Sequence, residues 1–425
     1  MKILKYGSTG PLVQLLQLAL NRAGYGILET DGIFGNATRG AVLQFQSRSG
    51  LSADGIVGPA TNKVLMPWYT GYFTHRIMRG DTLFSLSKMY GTTLEAIQLA
   101  NPEINALNLQ VGSTVTVPLP FDVVPTTIDY SSQLVSYTAQ GIAARYPFVK
   151  TGEMGRSVMG KPLLYMALGT GNNRVFYNAA HHANEWITSP VLLKFAETLA
   201  KAAAYDGTIF GQSAKELLSR STIYIAPMVN PDGVDLVTGA LDSGEFYANA
   251  QRIAANYPQF SFPAGWKANI RGTDLNLQYP AGWEQARENK FAQGIVSPAP
   301  ADYVGTAPLT APESRAVYDF TQAISPDLVL AYHTQGEVIY WKYLDYEPRN
   351  SREIAETFSA VSGYAYEDTP YASGFAGYKD WFIQDFNRPG YTIEAGLGVN
   401  PLPISDFNEI YADNLGILIY GALVT

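Results

Sequence analysis

Two residues three positions apart, His182 and Glu185, are the first candidates for chemistry in this sequence. They lie in the stretch Arg174-Val-Phe-Tyr-Asn-Ala-Ala-His-His-Ala-Asn-Glu-Trp186. Val175-Phe-Tyr177 is strand-like and delivers the backbone to this point. On a helical turn that follows, positions i and i+3 share one face. An imidazole and a carboxylate on one face are two of the ligands a catalytic zinc uses; a third comes from elsewhere, and the fourth position stays open for water. The chain has four histidines, His75, His181, His182 and His333. His333 closes the apolar run Leu328-Val-Leu-Ala-Tyr332, and it is the candidate for a distant third ligand outside the first 120 residues. With no cysteine in the chain, disulfides and thiolate ligation are excluded, so a zinc would use His, Asp or Glu.

A lone His-x-x-Glu is most often a pair of solvated surface residues. Here it has company in a fixed order: His182-Ala-Asn-Glu185, Asn230-Pro-Asp-Gly233, Asp274-Leu-Asn276, His333 at one strand end and Glu394 at another, in Tyr391-Thr-Ile-Glu394. This ordered set resembles the zinc carboxypeptidase family. The resemblance implies one zinc per chain, held by His182, Glu185 and His333, with Asp274 accepting the other N–H of His182 and so fixing its tautomer. It implies that Glu394 is the general acid/base, which takes a proton from the attacking water and passes it to the leaving amine. The family's oxyanion-stabilising cation follows a Trp upstream of Asp-x-Asn. In Trp266-Lys-Ala-Asn-Ile-Arg271 the register favours Lys267, with Arg271 a competitor. A substrate-covering tyrosine falls near Tyr371, with the register open by one residue. Asn276 is expected to bind substrate. Lys379, just before Asp380-Trp381, takes the position at the floor of the specificity pocket. There it would favour a diaminopimelate carboxylate over lysine. The digestive members of the family read Asp-x-Asn-Arg, and that arginine grips the substrate's terminal carboxylate; here Leu277 follows Asn276.

These residues need a scaffold, and 425 residues are too many for one ordinary core. The sequence predicts a multi-domain protein: a small all-α module, a βααβ lysin motif and a large α/β zinc-carboxypeptidase-like domain with a mixed sheet flanked by helices. The expected boundaries are 1–67, 74–119, a proline-stiffened linker at 120–127, and 128–425. In the first module Asp31-Gly-Ile-Phe-Gly-Asn-Ala-Thr38 recurs as Asp54-Gly-Ile-Val-Gly-Pro-Ala-Thr61. Val13, Leu16 and Leu20, and again Ala41, Val42 and Phe45, are spaced for helix faces. This unit resembles the peptidoglycan-binding-domain family. In the second, a strand at Thr74–Met78 leads into Gly80-Asp-Thr-Leu83, with Asp81 or Thr82 as N-cap. Helices at 83–90 and 94–100 and a strand at 111–117 complete a unit that resembles a lysin motif, a family that binds N-acetylglucosamine-containing glycans. His75, with no histidine or acid at ligand spacing, is expected on a strand surface. In the third, strands are expected at 163–168, 175–177, 223–227, 328–332 and 391–393, and a helix near 191–201. Residues 284–311, rich in Ala, Pro and Gly, read as a long surface loop.

A net charge of −8 argues against nucleic acid or an anionic membrane as partner. No apolar run is long enough for a membrane span. The N-terminus carries no signal-like apolar core, which leaves two alternatives, a mature sequence given without its signal or cytoplasmic synthesis without classical export; a location at the cell wall or in the spore is expected. Nothing in the sequence indicates an oligomeric state. The architecture is similar to the γ-D-glutamyl-diamino acid endopeptidase branch, which implies cleavage of the γ-D-glutamyl–diaminopimelate bond, with peptidoglycan glycan and stem peptide as partners. The alternatives are a general zinc carboxypeptidase with wall anchors and an inactive wall-binding protein. Leu277 disfavours the first. The complete set of His182, Glu185, His333 and Glu394 disfavours the second, because an inactive domain would be free to lose one of them.

Overall fold

The computed structural model describes residues 2–423; the expected outer boundaries at 1 and 425 lie outside them. The chain forms two compact units. The first comprises residues 1–129 with 136–150, and the second 130–135 with 151–425.

In the first unit the helices Pro11–Arg22, Asn36–Arg48 and Pro59–Thr70 form the all-α part. The sequence repeat has a physical cause. The side-chain amide of Gln17 donates to Asp31 Oδ1, the Ile33 carbonyl and Thr38 Oγ1, and it accepts from the Gly32 N–H. Gln46 does the same with Asp54, Ile56, Thr61 and Gly55. Each glutamine is a buried hub that holds one Asp-Gly turn against a helix. The strands β1 (Tyr72–Arg76) and β2 (Thr114–Pro118) pair antiparallel around the helices Leu83–Tyr90 and Leu94–Ala100. Thr82 is the N-cap, accepting from the Ser85 N–H. His75 is not a surface residue: it is buried, with Nε2 2.9 Å from Asp81 and Nδ1 2.9 Å from the Tyr90 hydroxyl. The acidic partner sits six residues on, brought back by the turn, and not at a ligand spacing. Val123 and Val124, in the segment read as a linker, are buried.

The second unit is built on an eight-stranded mixed sheet. Its strands are β3 (Lys150–Arg156), β4 (Pro162–Leu168), β5 (Asn173–Ala179), β8 (Ser221–Ala226), β9 (Leu328–His333), β10 (Val338–Tyr340), β11 (Ala365–Glu367) and β12 (Gly390–Glu394). The strands β6 (Thr208–Ile209) and β7 (Gln212–Ser213) form a separate small pair. The sheet order is β11-β10-β12-β9-β5-β8-β4-β3. Strand β9 lies parallel between β12 and β5, and all six of its residues are buried. A strand covered on both faces has no polar side to alternate, which is why Leu328–Tyr332 is a continuous apolar run. On β5, Phe176 belongs to a core with Trp381, Phe382 and Val317. The next residue, Tyr177, points the other way, where its hydroxyl donates to the Leu418 carbonyl. Helices Tyr378–Phe386 and Pro312–Ile324 therefore cover one face; Thr188–Ala204 and Phe407–Gly421 cover the other.

The expectation of a long loop at 284–311 is corrected. Trp283–Ala292 is a helix, and Ala299, Ala301, Tyr303 and Val304 beyond it are buried. The indole of Trp283 donates to the Val304 carbonyl at 3.2 Å, so the later chain folds back onto the helix. No helix among the described residues is long and apolar enough to cross a membrane.

Replacing Gln46 with alanine strands the buried Gly55 N–H and removes the amide donor from Asp54, Ile56 and Thr61. We expect the full-length chain to lose about 1–3 kcal/mol, read as a lower urea midpoint.

Candidate metal centre and cleft

Three neighbouring parallel strands, β5, β9 and β12, end at one edge of the sheet. In the ladder, Glu394 is the register partner of His333, and Ala179 of Tyr332. Ala180 adopts a left-handed conformation at φ 54° and turns the chain off β5 into a 3₁₀ turn, Ala183–Glu185, with His182 at its N-cap. In such a turn i and i+3 eclipse, which brings His182 Nδ1 to 3.0 Å from Glu185 Oε1. His333 Nδ1 lies 2.9 Å from Glu185 Oε2 and 3.1 Å from His182 Nδ1.

The turn is clamped from below. Asn230 donates to the carbonyls of His181 at 3.1 Å and Ala268 at 3.0 Å, and its Oδ1 accepts from the Gly233 N–H. A Cβ at Gly233 would stand 2.7 Å from the Ala268 carbonyl oxygen and 2.8 Å from Ala183 Cβ, so the Asn-Pro-Asp-Gly motif needs its glycine. The Ala183 N–H donates to the Lys267 carbonyl, and that pairing carries the Lys267 ammonium to 3.1 Å from Glu185 Oε1. Asp274 Oδ1 is 3.2 Å from His182 Nε2, and Asp274 Oδ2 accepts from the Asp302 N–H.

The electrostatics follow from this packing. Burial alone would raise Glu185, but His182, Lys267 and His333 outweigh it and hold its carboxyl well below the usual range. Burial would lower His182, yet Glu185 and Asp274 prevail and lift it to about 9 in the ion-free protein. Lys267 would also be lowered by burial; Glu185, Asp274 and Glu394 keep it protonated instead. Burial pushes Glu394 up.

His182, Glu185 and His333 are the one group of three or more such residues among the described residues that could hold a metal ion. Their donor atoms are 2.9–3.1 Å apart. Atoms bonded at 2.0–2.1 Å around a tetrahedral zinc would be separated by about 3.3 Å, so the set fits that ion with little adjustment. Two imidazole nitrogens facing each other across a carboxylate are otherwise a poor arrangement. The outer N–H of His182 has Asp274; His333 Nε2 is buried without a protein partner.

A cavity of about 200 Å³ opens on this cluster. Glu394, Lys267 and Asn276 line it, with Asn276 Oδ1 accepting from the Tyr378 N–H. Arg271 does not share it. Asn269 Oδ1 accepts from the N–H groups of Arg271 and Thr273 and bends that loop away, leaving Arg271 exposed on a different cavity. Tyr371 is 67% exposed and packs edge-on against Phe375, outside the cavity lining. The phenol on the wall is Tyr340, from the three-residue strand β10. Lys379 lines the cavity but is 3% exposed, and its ammonium already meets Asp380 Oδ1 at 2.6 Å, the Lys342 carbonyl at 2.6 Å and Thr369 Oγ1 at 3.1 Å. Its charge is balanced by Asp380 before any substrate arrives, which does not favour the expected contact with a substrate anion. Lys290 and Asp302 also line the cavity, and no sequence signal pointed to them.

A triad that could hold a metal ion, gathered beyond the strand ends with a carboxylate beside it in a cleft, is the arrangement of a zinc metallopeptidase. More closely, the chain belongs to the zinc carboxypeptidase family, whose model matches residues 136–415. Residues 9–65 match a peptidoglycan binding domain and 75–118 a LysM domain, and these two domains support peptidoglycan binding and suggest association with the cell wall. The chain is 44% identical over 293 residues to γ-D-glutamyl-L-diamino acid endopeptidase 1 of Lysinibacillus sphaericus, covering 69% of this chain and 72% of that one. It is 39% identical over 292 residues to the uncharacterized protein YqgT of Bacillus subtilis (strain 168), covering 68% and 76%. The carboxypeptidase A structure from Helicoverpa armigera superposes with a TM-score of 0.54 at 20% identity, over 72% of this chain and 76% of that one, and shares the fold.

Zinc binding to the metal-free protein must displace the proton on His182. Since that group sits near 9, apparent zinc affinity is expected to rise with pH up to about 9 and then level off. About one proton should be released per zinc at neutral pH, measured by calorimetry in buffers of different ionisation enthalpy. His333→Ala should abolish stoichiometric binding.

Proposed function

We propose that the protein hydrolyses the γ-D-glutamyl–diaminopimelate bond of peptidoglycan stem peptides. One observation carries the reading: the cleft keeps the whole hydrolytic set, yet the position after Asn276 is the apolar Leu277, which lines the cavity. Without an arginine fork there, a substrate's terminal carboxylate has lost its bidentate grip. An endopeptidase does not need that grip. The name of the Lysinibacillus relative supports the same bond.

In this reading His182, Glu185 and His333 hold zinc, which when bound polarises the scissile carbonyl and acidifies water. Asp274 holds the tautomer of His182 through Nε2. Glu394, in the cleft and kept basic by burial, takes the proton of the attacking water and delivers it to the leaving amine. With Glu185 holding a metal, Lys267 would be free of that carboxylate, and its ammonium in the cleft would stabilise the developing oxyanion. Asn276 orients the substrate. We assign residues 1–67 and 74–119 to wall binding, 120–127 to a connection and 128–425 to catalysis. The wall modules would bring the enzyme to glycan, and the cleft would take the stem peptide; a spore or vegetative wall is an equally suitable site of action.

Digestion of stem peptides that continue beyond diaminopimelate, L-Ala–γ-D-Glu–diaminopimelate–D-Ala, should release diaminopimelate–D-Ala, identified by mass. Release of D-Ala alone from the carboxyl end would instead mark a carboxypeptidase. Glu394→Gln is expected to keep its zinc and lower kcat by about 10²–10⁴-fold. The same inactive full-length variant should sediment with insoluble peptidoglycan and be displaced by soluble wall fragments; failure to sediment would remove the wall-binding role.

A further inference from the structure

Three lysines line the cleft, Lys267, Lys290 and Lys379, each beside a carboxylate. They are not equivalent. Lys267 faces the metal ligand Glu185. Lys379 is shut away from solvent, ion-paired with Asp380 and hydrogen-bonded to the Lys342 carbonyl and Thr369 Oγ1. Lys290 has one acceptor, Asp302 Oδ1 at 2.5 Å, and two N–H groups without a protein acceptor. The side chains of this pair are 13% and 36% exposed. The pair is fixed in place. Lys290 stands in the last turn of the helix Trp283–Ala292, which Trp283 ties to the Val304 carbonyl, and the Asp302 N–H donates to Asp274, the partner of His182.

We propose that Lys290 and Asp302 are the specificity site for the far end of the substrate's diamino acid, Lys290 taking its carboxylate and Asp302 its ammonium. This rests on the stem-peptide reading above. The physical argument is complementarity of charge. A Lys–Asp pair presents no net charge, so a lone anion or a lone cation can satisfy one partner only by competing with the other. Diaminopimelate ends in a carbon that carries both an ammonium and a carboxylate, and such a zwitterion exchanges partners with the pair without loss. Lysine ends in an ammonium alone: it can meet Asp302, but it leaves Lys290 unpaired and facing a like charge. Leu277, which lines the same cavity, supplies an apolar surface for the methylene stem between the two ends.

The test uses the zinc-loaded full chain and two synthetic peptides, L-Ala–γ-D-Glu–meso-diaminopimelate–D-Ala and L-Ala–γ-D-Glu–L-Lys–D-Ala. The native enzyme should prefer the first in kcat/KM. Lys290→Met should shrink that preference at least about tenfold, by raising KM for the diaminopimelate peptide with little change in its kcat. Lys290→Arg should restore most of the preference. Asp302→Asn, which keeps the side chain's shape, should erode it independently should Lys290→Met fail to fold. If both peptides lose kcat/KM by the same factor in Lys290→Met, the pair is structural and the proposal falls while the bond assignment stands. If the native enzyme cleaves neither peptide at the γ-D-glutamyl bond, the functional reading falls and takes this one with it.

Discussion

A carboxylate taken out of water costs several kcal/mol unless charges and hydrogen bonds replace its hydration. Glu185 is 1% exposed, and the site is arranged around that fact. Its two oxygens meet His182, Lys267, His333 and the Thr334 N–H. These partners come from three separate stretches of chain, so the carboxylate can be buried only when all three have arrived. The same convergence that neutralises Glu185 creates a set of donors at zinc-ligand separation. A bound ion would take over the compensating role from the two imidazoles and Lys267, leaving the lysine free in the cleft.

The supporting layer is organised by backbone satisfaction. Turning off β5 at Ala180 leaves peptide groups that no strand can pair. Asn230 and Thr188 meet them: Asn230 binds the His181 carbonyl, and Thr188 Oγ1 accepts from the Ala180 N–H and donates to the Glu185 carbonyl. Buried polar groups of this kind are costly when left alone, which explains why the Asn-Pro-Asp-Gly stretch stands apart from the chemistry yet belongs to the motif set. The N-terminal all-α part uses the same device twice. Gln17 and Gln46 each close an Asp-Gly turn with one amide, so the repeated Asp, Gly and Thr are the outer ends of a network whose centre lies elsewhere in the sequence.

Much of this protein was legible in the sequence because its signals are local. The apolar runs at 175–177, 223–227 and 328–332 lie on central strands covered on both faces, and continuous hydrophobicity needs no partner to be recognised. His182 and Glu185 sit within one turn, and the ordered motifs identified the family along with its zinc. The short strands β10 and β11 carry no such pattern, and Tyr340 was invisible with them. The helix at 283–292 was hidden by low apolar periodicity, since only Trp283 and Ala286 of its ten residues are buried.

What the tertiary structure decided was which of several similar groups face one another. By register Lys267 took the slot of the oxyanion-stabilising cation, with Arg271 a competitor. The Ala183–Lys267 backbone pairing turned one toward Glu185, and the Asn269 bend turned the other out to solvent. Lys379 was placed at the pocket by register, but only the fold showed its ammonium paired with Asp380 and hydrogen-bonded to Lys342 and Thr369. Lys290 and Asp302 met across a segment read as loop. Residue type and spacing determine what a side chain can do; a donor's partner depends on which distant backbone lies beside it, and that is set by sheet register and loop packing, which spacing along the chain does not encode.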